Sequence, residues 1–508
     1  MRLENSMKNM KYNIVSQVIY LVIQFVTRTI FIKTLGSEYL GINGLFSNIL
    51  TLLSFADMGI GTVLVYCMYE PLANKDSNKL KALVNEYKKV YNIIALIVLV
   101  IGLCITPVLH ILIKDMPKIP NIRLIFILYL LNTVVSYLCI YKILIINADQ
   151  KNYIVSVIQQ FFNILANIIQ IFVLLFTHNF ILYLGIQILF SIICNIYISK
   201  KTEKMYPFIK ETNGYNLDKE QKVKMKKDTF AFLLHKFGSI TVSGTNNIIM
   251  SAMIGLKEVG IYSNYLLMIN AIKRFTTQYF TSVSASIGNM NIEASKEHSY
   301  SMFKKILYGN FWIYTFCSIS LYFLLNPFIG MWIGNDYVFS LNFVFLIVLE
   351  FYIDGMRQTV LIFREAMGIF TQDQLKSVAQ VVLNLVISIV LTIKFGIIGI
   401  LLGTIISMLL ACIWVEPYVL FKYGFKLNVS LYFKVFLRYI LIGIVSFLIT
   451  YLVNQLITGN SVISFILHLG ITVIISNLII MLTTFKTEEF KYFWNILKGI
   501  MKEKKWKI

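Results

Sequence analysis

Acidic residues are scarce in this 508-residue sequence: 25 Asp and Glu stand against 46 Lys and Arg, a formal net charge of +21. Charge of either sign is thin, at 14% of residues. Paired cysteines are lacking. Cys67, Cys104, Cys139, Cys194, Cys317 and Cys412 all lie in apolar runs, and none forms a C-x-x-C pair. They read as small buried hydrophobes, not disulfides or metal ligands. Soluble-enzyme signatures are missing as well: there is no H-E-x-x-H, G-x-x-x-x-G-K-[ST], G-x-S-x-G or G-x-G-x-x-G. No stretch between apolar runs on the lysine-poor side is long enough to house a catalytic domain.

What is present is apolar. Hydrophobic residues make up 57% of the chain and mean hydropathy is +0.73, above the roughly half expected of a soluble protein. Runs of about 20 apolar residues, enough to cross ~30 Å of hydrocarbon as helix, recur from end to end. The expectation is an all-α polytopic membrane protein with fourteen spans, at 12–32, 44–69, 90–113, 122–146, 154–176, 180–199, 229–254, 261–289, 306–333, 341–367, 376–394, 396–420, 435–455 and 462–484. The first of these holds Arg28 and lacks a small-residue cleavage site, so it is read as a retained helix, not a signal peptide. Lysines cluster in alternate connections: at 75–89, at 200–227 and in the tail 485–508. The opposite connections THNF (177–180), GNDYVFS (334–340) and TGNSV (458–462) carry none, although KDMPKIPNIR (114–123) breaks the pattern. By the positive-inside rule both termini are expected in the cytoplasm. The positive charge is thereby read as topology, and no nucleic-acid partner is expected.

The longest polar stretch, 200–228, divides the spans into six and eight. Repeats support that division. Gly36-Ser-Glu-Tyr-Leu-Gly41-Ile42 matches Gly255-Leu-Lys-Glu-Val-Gly260-Ile261 at an offset of 219, and Ser156 to Asn163 matches Ser377 to Asn384 at 221. Two six-helix lobes in parallel orientation follow: 1–199, then a cytoplasmic linker at 200–228, then 229–420. Spans 13 and 14 occupy 421–484, with lipid contact at the periphery as their default, and a basic cytoplasmic tail occupies 485–508.

Polar side chains recur inside the spans. Ser156, Gln159, Asn163, Asn167 and Gln170 follow helical spacing in span 5, and Ser377, Gln380, Asn384 and Ser388 do so in span 11. His235, Ser239, Ser243 and Asn246 form a third stripe in span 7, beside Lys236 and Asn247. Each stripe is either hydrogen-bonded glue between helices or the lining of a wet cavity; three together favour the cavity. Cations sit within spans at Arg28, Lys142, Lys236, Lys273, Arg274 and Arg357, and acids at Asp57, Glu350 and Asp354. Such groups are costly in hydrocarbon and mark functional paths by default. Lys273 and Arg274 are adjacent, so one of them faces inward. Asp354 and Arg357 are an i,i+3 pair, read either as a structural ion pair or as a ligand site held ready for an anion.

These residues bear a family resemblance. FLLHKFGSITVSGTNNIIMSAMIGLKEVGIYSNY (232–265), KTLGSEYLGINGLFSNILTLLSFADMGI (33–60) and KFGIIGILLGTIIS (394–407) resemble bacterial Wzx-type polysaccharide flippases. That resemblance implies the multidrug/oligosaccharidyl-lipid/polysaccharide (MOP) exporter fold, MATE-like and V-shaped, rocking between inward-open and outward-open states in the bacterial cytoplasmic membrane. The substrate it implies is an undecaprenyl-pyrophosphate-linked oligosaccharide, with membrane lipids and a polysaccharide polymerase as further partners. Arg28, Lys236, Arg274 and Arg357 are expected to meet the pyrophosphate, Arg357 being helped by Arg28 from the facing lobe. Asn163, Asn246, Gln380 and Asn384 are expected to meet the glycan. No cofactor is expected; coupling to Na⁺ or H⁺ would fall to Asp57 and Asp354. A MATE-like multidrug antiporter is the alternative, but it would want an acidic cavity. A membrane-embedded enzyme of glycan assembly is a second alternative, and it lacks its acidic motif.

Overall fold

The computed structural model describes residues 19–505 apart from 20, 55–60, 62–64, 66, 70, 73, 115, 116, 118, 150, 211–243, 294, 295, 368, 370, 371, 373, 458 and 460. Among them there is no β-strand. Hydrocarbon offers a backbone no partner, so a spanning segment satisfies its own amides as helix. The helices are α1 (Ser37–Leu53), α2 (Ser77–Ile105), α3 (Ile122–Ala148), α4 (Asn152–Thr177), α5 (Phe180–Met205), α6 (Leu256–Glu293), α7 (Lys296–Ile333), α8 (Leu341–Ala366), α9 (Gln374–Phe395), α10 (Ile397–Ala411), α11 (Val415–Val419), α12 (Ser430–Asn454), α13 (Val462–Thr484) and α14 (Glu488–Lys505). Further helical turns occupy 21–35 and 244–253.

Short polar connections set the boundaries. Asn179 accepts from the N–H groups of Ile181 and Leu182 at 2.9 and 3.1 Å and so caps α5. Asp76 accepts from the Lys79 N–H at the start of α2 at 3.0 Å. His178 (φ 51°) ends α4 and Gly396 (φ 59°) separates α9 from α10, each in the left-handed conformation that stops a helix.

Nine helices among the described residues are long and apolar enough to cross a membrane. Helices α6 and α8 are long enough, but they carry the charges singled out in spans 8 and 10. Spans 1, 2 and 7 fall partly outside the described residues. Large apolar side chains point outward along these helices. Ile93 and Leu96 on α2, Phe172 and Phe176 on α4, Leu448 and Leu452 on α12, and Ile466 and Ile474 on α13 are all exposed. In water these faces would be a liability; in lipid they are the solvent-matched surface.

The chain forms two compact units, 1–263 and 264–508. The first ends at Ser263, inside α6, and of the linker expected at 200–228 the part 211–228 lies outside the described residues. In that unit α3 packs against α2 and α5, and α4 against α5. The repeated glycines explain the boundary. Gly36 and Gly255, both at positive φ, precede α1 and α6. Five residues on, a Cβ at Gly41 would strike the backbone of Leu256, and one at Gly260 would strike the backbone of Ser37. The two copies of the motif therefore pack on each other reciprocally, and only glycine permits that approach.

In the second unit α7 is the hub, touching α8, α12, α13 and α14. Gly355 of α8 lies against the ring of Tyr314, and Phe311 stacks on Tyr439 at 4.4 Å. Helices α9 and α10 form the tightest pair, because Gly399 and Gly403 face the backbones of Leu391 and Ser388. Small residues four apart allow this approach in membranes.

Two outcomes test this architecture. Gly403→Ala should force α9 and α10 apart at a cost of about 1–3 kcal/mol, read as a lower unfolding temperature in detergent. Cysteines placed at exposed Lys201 and Asn335, in a background without native cysteines, should react with an impermeant thiol reagent from opposite sides of the membrane. Labelling from the same side would contradict the topology drawn from the lysines.

Candidate functional site

Charge gathers at one place in the second unit. Arg357 of α8 donates from Nε to Glu416 Oε2 at 2.9 Å and from Nη2 to Glu416 Oε1 at 2.7 Å. That is the fork geometry in which guanidinium binds carboxylate best. Lys376 of α9 donates to the same Oε1 at 2.5 Å. On the other side of Arg357, Asp354 Oδ1 lies 3.6 Å from Nη1, and Asp354 Oδ2 accepts from Lys273 of α6 at 2.9 Å. Glu350 sits one turn before Asp354, within electrostatic reach of it and of Lys273. Among the described residues three cations thus meet three acids, and that set is formally neutral. Neutrality is what makes it tolerable at this depth, because an unpaired buried charge costs several kcal/mol.

Exposure is graded across the network. The side chain of Glu416 is 0% exposed, Lys376 7%, Arg357 12%, Asp354 33% and Lys273 37%. One end is sealed in protein and the other is open.

The chain brings Glu416 there by breaking a helix. Helix α10 ends at Ala411, residues 412–414 form a turn, and α11 starts at Val415 with Glu416 and Pro417 in its first turn. Proline has no N–H, and its ring displaces the carbonyl four residues back, so the helical run is distorted here, although the Glu416 N–H still donates to the Cys412 carbonyl at 3.1 Å. The chain continues as a π-turn at Leu420–Phe425 whose Phe421 and Phe425 rings pack on Phe303 at 5.7 and 5.3 Å.

The structure places the expected residues as follows. The principal partner of Arg357 is Glu416, with Asp354 a longer contact. Neither Glu416 nor Lys376 was anticipated as a site residue. The signal lay in WVEPY, which holds the lone acid of 396–420 beside a proline. Of the adjacent cations it is Lys273, not Arg274, that joins the network; Arg274 is exposed. Gln380 and Asn384 are buried between α9 and α10: Gln380 Oε1 accepts from Cys412 at 3.1 Å, and Asn384 donates to Thr404 Oγ1 at 3.0 Å. The stripe in span 11 is therefore glue between helices and not a cavity wall. Asn163 is exposed, its carbonyl accepting from Asn167 at 2.7 Å. Asn246 is buried in the first unit. Lys236 and Asp57 lie outside the described residues.

Arg28 belongs to a separate polar patch in the first unit. It donates to the hydroxyl of Ser263, with Tyr129 and Tyr183 within electrostatic reach. Its neighbour Thr27 donates to Asn167 at 3.0 Å, and Tyr129 donates to Asn43.

The fold has known counterparts. It is similar to the lipid II flippase MurJ in an inward closed conformation, with a TM-score of 0.68 and 15% identity over 93% of this chain and 98% of that one. It is also similar to a multidrug resistance MATE family transporter of the MOP superfamily. The inward-facing form gives a TM-score of 0.56 at 13% identity, covering 80% of this chain and 96% of that one. The outward-facing form gives 0.52 at 13%, covering 82% and 95%. The chain is thus a helical membrane protein with the fold of the MOP-superfamily transporters. No curated protein matches it. The sequence pattern of the polysaccharide biosynthesis protein family matches residues 6–285, more than half of the chain, and the protein belongs to that family.

Glu416→Gln should leave Arg357 and Lys376 facing a neutral amide and destabilise the second unit by about 3–5 kcal/mol. Thermal unfolding in detergent measures this. Glu416→Leu combined with Arg357→Met and Lys376→Met should recover most of the loss, because apolar packing can replace a neutral buried network.

Proposed function

We propose that the protein is a flippase that moves an undecaprenyl-pyrophosphate-linked oligosaccharide across the bacterial cytoplasmic membrane by alternating access. What carries this reading is membership of the polysaccharide biosynthesis family on a transporter fold. The ionic network supplies chemistry that suits it. A pyrophosphate needs cations that are neither fully sealed nor fully solvated. Lys273 in the second unit and Arg28 in the first are partly exposed cations of that kind. Arg357 is committed to Glu416, so its role is to hold Asp354 and the sealed end of the network in place.

A mechanism follows from the grading of exposure. The substrate phosphate displaces Asp354 from Lys273, exchanging one anion for another at a single ammonium. Asp354, still near Arg357, is then free to take a proton or Na⁺. Substrate and coupling ion thereby compete through one carboxylate, a differential interaction able to bias two conformations. Asp57 stands as a second coupling acid on the sequence argument alone. A polysaccharide polymerase would use the product on the outer face. The multidrug antiporter reading shares the fold, but the partly exposed cation of either unit would repel a cationic drug.

Removal of the gene should stop surface polysaccharide export and leave lipid-linked glycan on the inner leaflet. Reintroduction should restore export. Lys273→Ala and Arg28→Ala should each lower it about tenfold or more, the scale of a lost hydrogen bond to a charged group, with the protein still inserted. Normal polysaccharide in the deletion strain, or drug efflux in its place, would refute the proposal.

A further inference from the structure

The last helix has no part in the ionic network, and its composition differs from every span. Helix α14 reads EEFKYFWNILKGIMKEKK. It is too charged to cross hydrocarbon, yet too aromatic for a solvated tail. It follows α13 after a short turn in which the Thr487 N–H donates to the Thr484 carbonyl at 2.8 Å. Its first turns are then tied to α7. Phe490 stacks on Trp312 at 6.1 Å, Phe493 lies 6.0 Å from Tyr308, Lys305 sits 4.6 Å over the ring of Tyr492, and Glu489 is 3.9 Å from Lys304. These contacts reach α7 between residues 304 and 312, about 12 Å of axis, whereas α14 is ~27 Å long. The described contacts join the first turns of α14 to this part of α7.

Its outer face is distinct. Lys491, Trp494 and Lys498 recur at three and seven residues, on one side of the helix, and all three are exposed. Lys498 lies 5.7 Å from the Trp494 ring. In the preceding turn Lys486 lies 5.5 Å from the Phe485 ring, and both are exposed. The same end of α7 carries a second group of this kind. The π-turn that packs Phe421 and Phe425 on Tyr300 at 5.9 and 5.8 Å presents Lys422 beside Tyr418 and Tyr423. Among the α14 side chains described, the acids are Glu488, which is exposed, and Glu489, which is engaged with Lys304.

We propose that α14 lies in the membrane interface and binds anionic phospholipid headgroups, with Trp494 and Phe485 set among the acyl-chain ends and Lys486, Lys491 and Lys498 on the phosphates. Exposed rings interleaved with lysines suit the headgroup boundary, where rings want an apolar side and ammonium groups a polar one. Against an anionic leaflet each lysine multiplies the preference about fivefold, so three supply on the order of a hundredfold. The surface would hold the end of α7, and with it the second unit, at a fixed depth.

The test uses the full chain with Trp494 as its single tryptophan, the others changed to Phe, reconstituted in mixed phosphatidylcholine and phosphatidylglycerol bilayers. Either the neutral or the anionic lipid carries brominated chains. Brominated phosphatidylglycerol should quench Trp494 several-fold more than brominated phosphatidylcholine at equal mole fraction. High salt should shrink the difference, and K486Q/K491Q/K498Q should abolish it. Should the tryptophan replacements unfold the protein, Trp494→Phe in the otherwise native chain gives the same quantity by subtraction. Equal quenching by the two lipids, a preference that survives the lysine changes, or no quenching by either would overturn the proposal. The last result would mean that protein, a second copy or another partner, covers this face.

Discussion

A carboxylate with no access to water dominates the second unit. Glu416 is tolerable only because Arg357 grips both of its oxygens and Lys376 shares one of them. That requirement ties α8, α9 and α11 to one point, since each supplies a charge that the others cannot leave unpaired. It also dictates where α10 must stop, because the chain has to turn at 412–414 to present Glu416 inward. Asp354 and Lys273 extend the network toward its open end and add α6. A buried network of this kind is a poor source of net stability, but it is a sharp constraint on arrangement. Any displacement of α8 along its axis breaks the fork, and apolar contacts elsewhere cannot compensate in kind.

Around that point the packing is governed by close approach. Membrane helices gain little from hydrophobicity when lipid is as apolar as they are, so contact depends on shape and on hydrogen bonds. Gly399 and Gly403 bring α10 onto the backbone of α9, and the buried amides and hydroxyls of Asn384, Ser388 and Thr404 then find one another. Gly41 and Gly260 do the same between the two copies of the repeated motif. Asn310 serves α7 similarly, donating to the carbonyl of Gly355 at 3.0 Å, next to the contact of that glycine with Tyr314. In the α9–α10 and α7–α8 pairs a missing side chain on one helix lets polar groups meet without water.

The packing divides the network into sealed and open charge. A fully sealed network would be inert, and a fully open one would be screened and weak. Here the gradient runs along α8 from Arg357 to Asp354, within a single turn of one helix. The carboxylate and ammonium at one end are partly exposed, while the fork at the other end is sealed and holds the helix in register.

The sequence alone determined the medium and therefore the secondary structure. Apolar runs of spanning length leave the backbone no choice but helix, and the alternation of lysines follows from the cost of moving charge across the bilayer. The repeat was legible too, because Gly36 and Gly255 sit at positive φ and a side chain at Gly41 or Gly260 would collide with the facing backbone. Which charges pair was not legible. Adjacency along α8 suggested Asp354 for Arg357, whereas the guanidinium reaches 59 residues along the chain to Glu416. Partner choice depends on where three helices converge, a matter of packing that no local spacing encodes. The same holds for the polar stripes. Helical periodicity shows that Gln380 and Asn384 share a face, but only the approach of α10, allowed by its glycines, decides that this face meets protein instead of water.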